Sequence, residues 1–276
     1  MGLLSNRVSR EELQPGDHVY SWRVAYSYAH HGIYIGDGKV IHFTRGQGQE
    51  LGTGTVLDNL LSTLGSSPSH AYTPCNQCGL NTDSNGVLLS CLDCFLCGFP
   101  LYRFEYGENT AVFLAKARGG TCTLALSDPP EVVLHRAKYL LENGFGGYHI
   151  FRKNCEDFAM YCKTGLLIVA GNTIGTSGQA SSFLGAPLAA VASSPLGFIM
   201  AEPWGLVAVS AGMYCLSRYV SDLGNRRDVT KVAVEDLTTR VLPAPVAPSG
   251  VEDLTMRVLP VPVAPSGIEE GKRKEQ

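Results

Sequence analysis

A chain of 276 residues, 45% hydrophobic and 17% charged, is long enough to bury a sizeable core. A net charge of −3 with no basic stripe gives no electrostatic case for nucleic acid or for an anionic membrane, and the terminal Lys272-Arg273-Lys274 reads as a solvated tail. The stretch Met1 to Gln14 is short, mixed and charged rather than a secretory leader, so a reducing, cytoplasmic setting is expected.

The first predicted element pair is a hairpin. In Tyr28-Ala29-His30-His31-Gly32-Ile33-Tyr34-Ile35 and Val40-Ile41-His42-Phe43, two apolar runs flank Gly36-Asp37-Gly38-Lys39, the composition of a tight β-turn. Strand period two puts His30, Gly32 and Tyr34 on one face and His31, Ile33 and Ile35 on the other.

Next come Cys75-Asn76-Gln77-Cys78 and Cys91-Leu92-Asp93-Cys94, two C-x-x-C pairs separated by twelve residues. This is the spacing of two zinc knuckles closing on one tetrahedral ion. Four thiolates leave no open position, so such a zinc would be structural and would not activate water. Cys97 is a fifth thiol that leaves the ligand assignment open; disulfides or redox-active thiols are the other readings.

Downstream, Ser127-Asp128-Pro129-Pro130-Glu131 offers a cap, an early proline and an acidic first turn. The apolar positions Val132, Val133, Leu134, Ala137, Leu140 and Leu141 follow, with Asn143-Gly144 as a stop. A short strand, Tyr148 to Phe151, precedes Asn154, a suitable N-cap for a helix running to about Thr164 and ended by Gly165. Cys155 falls in the first turn of that helix, beside Arg152 and Lys153, where unpaired N–H groups, the helix dipole and basic neighbours favour a thiolate. Cys155 is therefore a candidate nucleophile and His30 its candidate base, provided the helix packs on the His30 face. His42, across the hairpin, is placed to orient the first imidazole. Glu156 and Asp157 are expected to serve the helix start, and Asn154 to be structural.

The remainder has two parts. Residues 166–224 form a Gly/Ala/Ser-rich hydrophobic region, without charge from Thr164 through Ala201 and from Gly205 to Ser217, broken by Pro187 and Pro195 and too weakly apolar for a confident membrane span. Residues 225–276 carry a Pro-rich repeat of seventeen residues, Val234 to Gly250 followed by its near copy Val251 to Gly267, and are expected to be extended or disordered.

Any one of these motifs has an ordinary explanation, since a helix cysteine is usually a small buried hydrophobe and a strand histidine a hydrogen-bonded structural residue. The three together, His30-x-Gly-Ile-Tyr-Ile-Gly-Asp-Gly, His42 and Asn154-Cys155-Glu156-x-Phe158, resemble the lecithin retinol acyltransferase (LRAT) domain, a permuted branch of the NlpC/P60 superfamily. Leu13-Gln14-Pro15-Gly16-Asp17-His18-Val19-Tyr20 resembles its opening strand. The resemblance covers about residues 10–165, with residues 73–99 as a Cys-rich insertion of the kind seen in plant relatives. It implies His30 and His42 as the catalytic histidines and Cys155 as the nucleophile. His31 stands where relatives carry an aromatic residue, and His18, His70, His135 and His149 receive no role.

The expected fold is α+β: a small antiparallel sheet packed on helices, with a zinc-knuckle insertion and a low-order C-terminal tail. The expected activity is acyl transfer or acyl hydrolysis on lipid esters through a thioester on Cys155. The partners are then a lipid acyl donor and a small acceptor, with a membrane surface as a further partner and no nucleic acid. Zn2+ on Cys75, Cys78, Cys91 and Cys94 is the only cofactor. Two rival readings are a non-catalytic scaffold and a Cys-cluster protein that handles zinc or a softer, toxic metal.

Overall fold

The computed structural model describes residues 6–23, 28–44, 75–76, 78–79, 85–116, 118–146, 154–168 and 203–240. In chain order the elements are β1 (His18–Arg23), β2 (Tyr28–Gly36), β3 (Lys39–Thr44), β4 (Gly86–Cys91), α1 (Leu92–Leu96), β5 (Tyr102–Arg103), α2 (Thr110–Ala115), α3 (Pro130–Asn143), α4 (Cys155–Thr164), β6 (Leu166–Ile168), α5 (Pro203–Ser221), β7 (Val229–Lys231) and α6 (Val234–Arg240). Five strands form one antiparallel sheet in the order β4-β3-β2-β1-β5, and β6 pairs with β7 separately. The expected α+β architecture, with a small antiparallel sheet and helices against it, is what the chain adopts.

The hairpin forms where the sequence puts it. Asp37 (φ 50) and Gly38 (φ 65) both lie in the left-handed region, as a two-residue turn matched to strand twist requires. Helix α3 starts on Pro130 and stops at Gly144, although its N-cap is Pro129 and no side chain caps it. Asp128 instead binds Arg136 Nη2 at 2.7 Å and Lys231 Nζ at 2.6 Å, tying the helix entry to β7. Helix α4 is capped by Asn154, whose Oδ1 accepts from Glu156 N–H (2.9 Å) and Asp157 N–H (3.0 Å), while Asp157 Oδ2 accepts from Asn154 N–H (3.1 Å). Gly165 ends it at φ 68.

Strand register sorts the central sheet into two faces. His18, Tyr20 and Trp22 of β1 pair with Ile33, His31 and Ala29 of β2, and Ile33 pairs with Ile41 of β3. This first face buries Ile33, Ile41, Phe43 and Val87 against Val133, Ala137 and Leu140 of α3 and Phe158, Ala159, Tyr161 and Cys162 of α4. Each large apolar side chain so buried contributes roughly 1.5–3 kcal/mol. The second face carries Val19, Ser21, Arg23, His30, Gly32, Tyr34, Val40 and His42. It is covered by Val8, Leu13, Leu101 and the Leu92, Phe95 and Leu96 side chains of α1.

Two sequence expectations change. Helix α4 packs along the Ile33 and Ile41 face, opposite the side from which His30 projects, because Phe158, Ala159 and Tyr161 need that apolar surface. The first copy of the repeat is also not extended throughout: Val234–Arg240 is helical, with Val234 and Leu237 in the core beside α3. Their i, i+3 spacing supplies a short apolar stripe that the prolines further on obscure. The strand expected over 148–151, the apolar stretch 169–202 and the repeat beyond 240 lie outside the described residues. No described helix is long and apolar enough to cross a membrane. Helix α5 exposes Val207, Met213, Leu216 and Val220.

Candidate functional site

Cys155 is the first residue of α4 and is buried. Its Sγ lies 3.7 Å from the carbonyl oxygen of Ala29, the residue before His30. The Tyr34 N–H bonds to Asp17 on the β1 side, so alternation along β2 turns the Ala29 carbonyl toward β3. Among the described residues, the β2–β3 pairs run from Gly32 and His42 toward the turn. The thiol therefore lies beside the β2 backbone at Ala29, while the body of its helix covers the face opposite His30.

The two hairpin histidines come together. His30 Nε2 and His42 Nδ1 are 2.9 Å apart and buried, with the rings edge to face at 4.9 Å. Burial, reinforced by the nearby Arg23 charge, holds His30 well below the ordinary imidazole range. A neutral His30 is a proton acceptor. If its Nε2 carries hydrogen and donates to His42 Nδ1, its Nδ1 is the basic atom.

A second imidazole pair, to which the sequence reading gave no role, lies on the α4 face. His18 Nε2 and His31 Nδ1 are 2.8 Å apart, and His18 Nδ1 is 2.7 Å from the Tyr106 hydroxyl. Tyr20 stacks on His31 at 5.3 Å and Phe104 on His18 at 4.4 Å. Burial pushes both histidines well below their ordinary range, helped by His31 and Lys163 at His18 and by His30 at His31. The one sequence signal for this pair is that His18 and His31 occupy inward positions of adjacent strands. Glu156 is fully buried rather than solvated, and after burial its charge is the largest contribution raising the Tyr106 hydroxyl.

The four cysteines of the C-x-x-C pairs also converge. Cys75 Sγ is 3.9 Å from Cys91 Sγ, Cys78 Sγ is 3.7 Å from Cys94 Sγ, and all four sulfurs lie within 4.8 Å of one another. A tetrahedral zinc with Zn–S bonds of about 2.3 Å separates its sulfurs by about 3.8 Å, so the quartet fits that ion. Burial and the neighbouring sulfurs push the Cys94 thiol up, a cost that a bound dication reverses by supplying opposite charge. Cys97 points elsewhere, its Sγ 3.0 Å from the Cys94 carbonyl.

The family model described as lecithin retinol acyltransferase matches residues 11–168. The chain is 59% identical over 241 residues to Protein LEAD-SENSITIVE 1 of Arabidopsis thaliana, covering 87% of this chain and 92% of that protein.

Proposed function

The chain belongs to the lecithin retinol acyltransferase family, and on that premise we propose that it transfers or hydrolyses acyl groups of lipid esters through a thioester on Cys155. The observation that carries this reading is a buried thiol at a capped helix start, 3.7 Å from the carbonyl of the residue preceding His30, whose Nε2 is already held by His42. His30 Nδ1 takes the thiol proton as sulfur attacks the ester carbonyl, and the tetrahedral intermediate collapses. The C–O bond breaks, the leaving alcohol takes the proton from His30, and the acyl group remains on sulfur. Water, an amine or an alcohol then gives a proton to His30 and attacks the thioester, returning the thiol.

Asn154 Oδ1 takes the Glu156 and Asp157 N–H groups, and the positive end of the α4 dipole would stabilise the oxyanion. Phospholipid is the proposed donor, met at a membrane surface from the cytoplasm.

Cys75, Cys78, Cys91 and Cys94 would hold zinc as a structural brace with no part in the bond changes. The Arabidopsis relative is named for sensitivity to lead, and a thiolate quartet is a donor set that a thiophilic dication takes, so lead would compete for the same four sulfurs.

The test is turnover of phosphatidylcholine labelled in its acyl chains, with and without an added amine acceptor. The wild-type chain should release labelled fatty acid or form the labelled amide, and Cys155→Ser should do neither. Equal turnover by Cys155→Ser, or none by the wild type, overturns the proposal.

A further inference from the structure

Helix α1 cannot hold its own shape. Its five residues fall far short of the roughly 12 at which an isolated helix becomes even marginal in water. Burial of Leu92, Phe95 and Leu96 on the sheet holds it in place, and further ties lie at its two ends. At the start, Cys91 is the N-cap, its Sγ accepting from the Cys94 N–H at 3.4 Å, and Cys94 follows within the helix. At the finish, the Arg23 guanidinium of β1 donates to the Phe95 and Leu96 carbonyls. Two of the four clustered sulfurs thus belong to the first turn of α1.

The residue after Cys94 is Phe95, which is 1% exposed. Its ring centroid is 5.2 Å from that of His30 and 5.6 Å from that of His42, so one ring backs both members of the bonded pair. Gly32 makes room for it. A Cβ there would lie 3.0 Å from Phe95 Cε2 and 2.6 Å from Val40 Cγ1. Nothing else in α1 reaches both imidazoles among the contacts of the described residues.

We propose that Phe95 is a positioning residue through which a metal held by Cys75, Cys78, Cys91 and Cys94 sets the His30–His42 pair. The ion fixes the first turn of α1, α1 fixes the ring, and the ring keeps the imidazoles in the orientation that joins Nε2 to Nδ1. With the metal removed, α1 keeps its Arg23 anchor and the burial of Leu92, Phe95 and Leu96 but loses the tie on its first turn, and the ring gains freedom against both histidines. The inference rests on the reading of His30 as the base for Cys155. His18, on the opposite face and outside the described contacts of α1, serves as an internal control, whereas His31 adjoins His30 in the chain.

The experiment uses the full chain labelled with 13C at histidine Cε1, zinc-loaded and then stripped with a chelator, as wild type, Phe95→Leu and His30→Gln. Imidazole resonances are followed together with the rate at which iodoacetamide alkylates each cysteine, read by peptide mass spectrometry. In the wild type, stripping should shift the His30 and His42 resonances, leave that of His18 in place, and slow Cys155 alkylation about tenfold. The fully buried Cys162 should stay protected throughout, reporting that the fold survives. Phe95→Leu should still bind one zinc per chain yet show the slow Cys155 rate with or without it. The proposal is overturned if stripping leaves His30, His42 and Cys155 unchanged, if Phe95→Leu keeps the wild-type response, or if all four histidines and Cys162 respond together. His30→Gln separates the two levels. Unaltered Cys155 reactivity in that variant removes the base assignment itself, whereas a slowed rate there, with no effect of metal or Phe95, removes only the coupling.

Discussion

Replacing His30 with glutamine is expected to lower kcat/KM for acyl transfer by about 10³-fold or more in the chain that folds, whereas replacing His31 with glutamine should cost stability and spare the chemistry. The two histidines are consecutive, so neither composition nor local chemistry separates them. Their partners do. His30 is bonded to His42 at 2.9 Å and flanks the residue whose carbonyl meets the Cys155 thiol. His31 is bonded to His18 at 2.8 Å and stacked on Tyr20 inside the core. Removing the His31 ring leaves His18 Nε2 buried without its acceptor or donor, a cost of about 1–3 kcal/mol. Steady-state kinetics and urea denaturation on both variants read the two effects separately. A folded, inactive His31→Gln beside an active His30→Gln would move the base to the face covered by α4.

The second large effect is on stability against pH. Burial holds His18, His30 and His31 well below the ordinary imidazole range in the folded chain, whereas in the unfolded chain they titrate near 6.5. The unfolded state therefore binds protons first. Stability is fully present above about pH 6.5 and is lost as the pH falls below it, by up to about 1.4 kcal/mol per unit for each histidine and about 4 kcal/mol per unit for the three. Asp222, raised by burial, acts with the opposite sign but is one group against three. Urea midpoints at pH 7.5, 6.5 and 5.5 should fall steadily, most steeply in the last interval. A flat series would mean that these imidazoles are not held neutral in the core.

What the sequence revealed and what it hid divide along physical lines. The Asp37-Gly38 turn, the Pro130 start, the Asn154 cap and the Gly165 stop are encoded by residues within a few positions of each other, and each is where local chemistry puts it. The cysteine quartet was legible for the same reason, because ligand spacing survives folding. Period two correctly grouped His30 with Gly32 and Tyr34, but alternation cannot say which element covers a face. That depended on Phe158 and Tyr161 finding Ile33 and Ile41, a long-range choice. The His18–His31 pair and the contact of Phe95 with both hairpin histidines were hidden likewise, being made by segments 13 and more than 50 residues apart. Asp128 looked like a cap and became an ion-pair centre because Arg136 and Lys231 offered more than a helix start already led by two prolines.

The most direct measurement is the mass of the Cys155 peptide after brief incubation of the pure chain with a phospholipid and a rapid acid quench. An increment of one acyl group should appear on that peptide, vanish with neutral hydroxylamine as a thioester does, and be absent in His30→Gln over the same interval. A chain that turns over the lipid while Cys155 stays unmodified at every time point, or that carries the acyl group on another cysteine, contradicts the account.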